Sequence, residues 1–122
     1  MPRQVLEEPL VHPAIRDKVA NLHADIVHNV QAAAASNAVL VVGMRLNAAC
    51  TKARKALADA GVAFQYLEYG GYFSEWRRRN ALKMWSGWPT FPMVFVKGQL
   101  VGGNSDLRKL IDSGELKRLL VQ

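Results

Sequence analysis

Cysteine is almost absent from this chain of 122 residues, which has one, Cys50. A single thiol excludes an internal disulfide framework, a four-cysteine zinc site and any two-cysteine redox motif within the chain. Thiol chemistry here would take its second sulfur from another molecule. His12, His23 and His28 stand without a cluster of acids or cysteines around them, so no metal site is expected. Long apolar runs are missing too. The longest that is not mostly alanine, Ala38-Val-Leu-Val-Val42, is far short of the ~20 residues a membrane-spanning helix needs. The first residues, Met1-Pro-Arg-Gln-Val-Leu-Glu-Glu8, carry acids and lack the basic start and apolar stretch of a secretory signal. No membrane partner is expected, and a cytoplasmic location is. Acidic residues are in deficit, 10 against 16 Lys and Arg, which leaves +6 at neutral pH and a pI near 9.8. That balance favours acidic ligands, acidic partners or nucleic acid. Half the residues are apolar and 21% are charged, a composition that suits one folded domain with a buried core.

Residues 1 to 12 show no period and end at His12-Pro13, where proline discourages helix before it and suits the first turn of one after it. Ile15, Val19, Leu22, Ile26 and Val30 then recur at steps of four and three, which predicts a helix over residues 13 to 35. Residues 1 to 36 are expected to be an N-terminal segment and helix packed on a domain of residues 37 to 122. Val39-Leu-Val-Val42 reads as a strand buried on both faces. Asn47 caps a helix whose apolar face includes Ala49, Ala53, Ala56 and Leu57 and which Gly61 stops. Val62-Ala-Phe-Gln-Tyr-Leu67 supplies a second strand, so strand, helix and strand form a right-handed parallel crossover. Beyond Gly70-Gly71, Ser74 is expected to cap a helix through Trp76, Leu82 and Trp85 to Gly87. Pro92-Met-Val-Phe-Val96 predicts a third strand, turned through Lys97-Gly98-Gln99 into a short fourth at Leu100-Val101. Asn104 or Ser105 opens a helix through Leu107, Leu110 and Ile111, broken at Ser113-Gly114 before a last turn over residues 115 to 120. The expected class is α/β, a mixed four-stranded sheet flanked by helices.

Cys50 falls in the first turn of the second expected helix, where free N–H groups, the helix dipole, Lys52 and Arg54 favour a thiolate. The plain alternative is a small buried apolar residue. The run Trp88-Pro-Thr-Phe-Pro-Met-Val-Phe-Val-Lys-Gly-Gln-Leu-Val-Gly-Gly103, followed by Asp106-Leu107 and Ser113-Gly-Glu-Leu116, bears on that choice. It resembles the glutaredoxin family, and its Trp-Pro-Thr-Phe-Pro and Val-Gly-Gly elements resemble the monothiol branch. The resemblance covers about residues 38 to 120. It implies a thioredoxin-like fold, a cis peptide before Pro92 and a groove for glutathione. In that groove Phe91, between Thr90 and Pro92, would pair its backbone with the cysteinyl part of the tripeptide. Gly103, Asn104 and Ser105 would offer small residues and N–H groups at a helix start to the γ-glutamyl carboxylate. By its spacing to Trp-Pro-Thr, Arg79 matches the family's glutathione arginine, a fork for the glycyl carboxylate.

The sequence departs from the family at the expected nucleophile. Aligned without gaps through Leu57, Gly61 and Phe64, the family's Cys-x-x-Cys or Cys-Gly-Phe-Ser site falls on Asn47-Ala-Ala-Cys50. Asn47 takes the nucleophile's position, and Cys50 stands where dithiol members keep their second cysteine and monothiol members keep serine. The family lysine falls near Met44, with Arg45 beside it as a substitute. Two dispositions of Cys50 stay open as a catalytic thiol: it leans toward the groove from one turn inside the helix, or the helix is shortened by three residues and begins at Cys50. An accessible sulfur predicts exchange with glutathione disulfides through one mixed disulfide, resolved by a second glutathione. A buried one predicts binding of glutathione or a protein partner without turnover. Monothiol members commonly share a [2Fe–2S] cluster between two protomers, which would make the chain a homodimer. With Asn47 in place that cluster loses its protein ligand unless Cys50 replaces it.

Three functions therefore stand at this stage: a glutathione-dependent thiol–disulfide oxidoreductase using Cys50, a non-catalytic glutathione- or cluster-handling adaptor, and a nucleic-acid-binding module. The last draws on Trp76-Arg-Arg-Arg79 with Lys83, Trp85 and Trp88, the densest basic and aromatic segment. Against it, Trp76, Leu82 and Trp85 can form a packing stripe. Tyr69 to Phe73 falls in a stretch about three residues longer than in the family and is expected to shape the groove rim or bind a partner.

Overall fold

The structure, a computed structural model, describes residues 2–121. Its central strand is β1 (Val39–Gly43), buried along its whole length. The strand period of two sends Val39 and Val41 to one face and Leu40 and Val42 to the other, and both sets are covered. β1 lies parallel to β2 (Gln65–Glu68) and antiparallel to β3 (Met93–Val96), which turns at Lys97-Gly98 into antiparallel β4 (Gln99–Gly102). The sheet order is β2-β1-β3-β4, the expected mixed four-stranded sheet.

Helices close both faces. Preceding the sheet in the chain are α1 (Pro13–Asn21) and α2 (Ala24–Ser36). Next come α3 (Ala48–Asp59), α4 (Trp76–Ser86), α5 (Asn104–Asp112) and α6 (Glu115–Leu120). Ile26 and Val30 of α2 and Leu82 of α4 pack with Leu40, Val42, Met93 and Phe95. Ala53 and Leu57 of α3, Leu107 of α5 and Leu116 of α6 pack with Val39, Val41, Val94 and Val96 on the opposite face. Each fully buried aliphatic side chain contributes about 1.5–3 kcal/mol of burial free energy. At the end of α3, Gly61 with φ 71 turns the chain. Its N–H bonds Ala58 and that of Val62 bonds Leu57, a paired termination that delivers the chain to β2.

Three expectations are corrected. The helix over residues 13 to 35 is broken: Leu22 is extended and His23 sits in the left-handed region at φ 47. Ile26, Val30 and Ala34 of α2 are buried, whereas no residue of α1 is, so the apolar spacing continues across two helices with different fates. Ser74 does not cap α4. Its Oγ accepts the Gly71 N–H at 3.0 Å, which shapes the preceding loop, and Glu75 in the left-handed region takes the cap position. Trp76 leaves the expected stripe and is exposed, while Trp85 stacks on Phe95 with centroids 6.2 Å apart.

Candidate functional site

The chain leaves the C-terminal end of β1 for the start of α3, and the antiparallel β1–β3 pairing, Val42 opposite Met93, brings the Phe91–Pro92 corner to the same end of the sheet. Asn47 is the N-cap of α3. Its extended backbone lets Oδ1 accept the Cys50 N–H at 3.0 Å, the Asx capping geometry its sequence position predicts. Because α3 begins at Ala48, the helix is not shortened to Cys50.

Cys50 is buried, with 0% exposure. The cause is local packing: a methyl group at Gly43 would lie 2.8 Å from Cys50 Sγ and 3.0 Å from the Tyr66 hydroxyl oxygen, so the sulfur fills the space that the glycine leaves. Tyr66 donates to Glu68 Oε1 at 3.0 Å, and the Arg54 guanidinium lies 4.0 Å over the Tyr66 ring. Burial pushes the thiol above its ordinary range, and Glu68 adds to this; the Met44 backbone and Arg54 pull the other way without cancelling it. Helix-terminus stabilisation of a thiolate is therefore outweighed by desolvation.

The second half of the site is the Trp88 to Gly103 run. Phe91–Pro92 is a cis peptide, as the resemblance implies. Thr90 is exposed beside it, Phe91 is buried, and Lys83 Nζ stands 5.8 Å from the Phe91 ring centroid. Across from it, Gly103 caps α5 and donates its N–H to Asp106 Oδ2 at 3.1 Å. That bond uses the Gly103 N–H, so this residue offers space rather than a donor, and the first-turn N–H groups of Asn104 and Ser105 remain directed outward from the helix start. A Cβ at Gly103 would sit 3.4 Å from the Pro92 carbonyl oxygen and 3.5 Å from Trp88 Nε1. At this same corner Trp88 Nε1 and Asn104 Oδ1 are buried without a hydrogen-bond partner among the described residues. Buried polar atoms of this kind call for a ligand or water.

Arg79 is 6% exposed. Its Nη1 donates to the Tyr69 carbonyl at 2.8 Å and the Ser74 carbonyl at 2.6 Å, so the residue matched to a glutathione carboxylate braces the loop between β2 and α4. The cation the structure brings to Phe91 is Lys83. Its basic segment drew notice in the sequence, but its place at the cis-proline corner depends on packing of α4. Tyr66 and Gly43 were also missed, since neither carries a motif and they meet Cys50 only through the β1–β2 register. Cys50 and Asn47 are adjacent in the fold; Phe91, Pro92, Gly103 and Asn104 gather at the corner, with Ser105 exposed on the first turn of α5.

Comparison with known proteins agrees with this architecture. A glutaredoxin family model matches residues 48–101. A glutaredoxin-like protein of Dictyostelium discoideum is 44% identical over 102 residues, 84% of this chain and 83% of that protein. A probable monothiol glutaredoxin 2 of Rickettsia conorii is 50% identical over 42 residues, 34% of this chain and 39% of that one. The crystal structure of a buckwheat glutaredoxin–glutathione complex shares the fold, with TM-score 0.70 and 23% identity over 83% of this chain and 92% of that one. An identity that runs through most of both chains, on a shared thioredoxin-like fold, makes this chain a member of the glutaredoxin family.

Proposed function

We propose that the chain holds glutathione in a glutaredoxin groove without forming a protein–glutathione mixed disulfide, acting as a glutathione-binding adaptor rather than as an oxidoreductase. The observation that carries this reading is the pairing of a buried Cys50, its thiol pushed up by burial, with a carboxamide at the helix cap. Thiol–disulfide exchange needs a thiolate in line with the disulfide it attacks. Cys50 has neither the charge nor the access, and Asn47 has no thiol.

The binding half rests on the corner. The Phe91 backbone beside cis-Pro92 suits an extended peptide laid along it. The first turn of α5 suits a carboxylate through the Asn104 and Ser105 N–H groups. Lys83 supplies a cation for the second carboxylate, and Trp88 Nε1 and Asn104 Oδ1 supply polar atoms that lack partners within the protein. The relative from buckwheat is a glutathione complex, which supports the same ligand here. A [2Fe–2S] cluster fits this chain poorly. Such clusters take thiolate ligands, and the only thiol is sealed between Gly43 and Tyr66.

A titration with reduced glutathione followed by amide chemical shifts tests the reading. It predicts saturable shifts at Phe91, Asn104 and Ser105, and weakening by about tenfold in Gly103→Ala, whose methyl fills the corner. Absent shifts at those amides, or efficient reduction of glutathione mixed disulfides by the unaltered chain, would overturn it.

A further inference from the structure

The loop between β2 and α4 is built rigidly and presents apolar side chains to solvent. Arg79 Nη1 holds its Tyr69 and Ser74 carbonyls, Ser74 Oγ accepts the Gly71 N–H, and the Arg45 N–H bonds the Gly70 carbonyl at 2.6 Å. That last bond ties the loop to the turn carrying Leu46. From these two adjacent turns and the first residue of α4 project Phe73, 101% exposed, Leu46, 85% exposed, and the exposed rings of Tyr72 and Trp76. A framework held by these partly buried hydrogen bonds displays four large apolar side chains at this position.

The charges beside them have one sign left over. Arg78 is neutralised by Glu75 and Asp25, each at 2.8 Å. Arg45 and Arg77 have no carboxylate partner among the described residues, and Arg77 lies 5.1 Å over the Trp76 ring. We propose that the Leu46, Tyr72, Phe73 and Trp76 patch, flanked by Arg45 and Arg77, docks an acidic protein segment carrying at least one large apolar side chain. Tyr, Trp and Arg are the residues that dominate protein–protein binding energy, and a loop already ordered loses little entropy on docking. An anionic membrane is the weaker occupant. Two arginines supply roughly 2 kcal/mol at such a surface, and stable electrostatic anchoring uses clusters of about four to eight. Two phosphate contacts likewise give nucleic acid only a shallow salt dependence and weak affinity.

The inference is tested separately from glutathione binding, because Phe73 and Arg77, the residues substituted, lie outside the Phe91 to Asn104 corner. A displayed library of random short peptides, selected against the full chain, is the probe. The proposal predicts enriched peptides in which Asp or Glu flanks Leu, Phe or Trp. Their affinity falls about tenfold or more for Phe73→Ala and for Arg77→Glu and holds for Leu10→Ala, a control on exposed chain elsewhere. Glutathione titration of the same variants stays at the parent value and separates this claim from the groove. The proposal is overturned if no peptide enriches, if enriched peptides bind Phe73→Ala as tightly as the parent, or if oligo(dT) or phosphatidylserine vesicles bind through Phe73 more tightly than the peptides.

Discussion

Cys50 and Gly43 share a space with room for one side chain. A methyl at Gly43 meets Sγ at 2.8 Å, so Gly43→Ala is expected to cost about 1–3 kcal/mol by overpacking. Combined with Cys50→Ala, the penalty shrinks, and a double-mutant cycle by urea denaturation shows coupling above about 0.5 kcal/mol. The same thiol sets a pH dependence. Its folded-state pKa lies above the ordinary 9.0, so at alkaline pH the folded chain keeps a proton that the unfolded chain has lost. Stability from this source is complete below about pH 9 and declines as pH rises past it. Cys50→Ala flattens that decline. Some slope remains, because burial also raises the Tyr66 and Tyr69 phenols, Tyr66 with help from its bond to Glu68. Denaturation midpoints measured across neutral and alkaline pH check both statements.

At the scale of elements, α3 depends on the Asn47 cap. Asn47→Ala removes the acceptor of the Cys50 N–H and should cost about 1 kcal/mol. Asn47→Cys puts a thiol at the helix N-terminus, where the dipole lowers its pKa. In a Cys50→Ala background this variant is expected to alkylate near neutral pH and to gain turnover on glutathione mixed disulfides. Inertness of the new thiol would contradict the assignment of that position to the groove. The cap, the crossover and the β3–β4 hairpin were legible because each rests on local signals: an Asx residue before an apolar period, a glycine after it, a two-residue turn between apolar runs. The cis-proline corner was legible through a long motif. The orientation of Cys50 was not, since it follows from the β1–β2 register that brings Gly43 and Tyr66 to the sulfur. Nor was the bracing role of Arg79, whose partners are backbone carbonyls with no side-chain signature. The break at His23 carries no glycine or proline to announce it.

Across the whole molecule, burial divides the N-terminal region unequally. Ile26 and Val30 of α2 are fully buried, and Ile26→Ala is expected to cost about 2–5 kcal/mol. α1 has no buried residue, so removing the chain up to Asn21 should cost less than about 1 kcal/mol by thermal denaturation. A large loss on truncation would show that α1 stabilises the sheet domain through contacts other than core burial. Function likewise divides between a corner that suits glutathione and a thiol that is sealed away from it. The most direct measurement is intact-mass analysis of the native chain after incubation with oxidised glutathione, paired with an amide-shift titration using the reduced form. The account predicts no glutathionyl adduct on native Cys50 while the Phe91 and Asn104 amides still shift. An adduct forming on the native chain as fast as on the denatured one would contradict it.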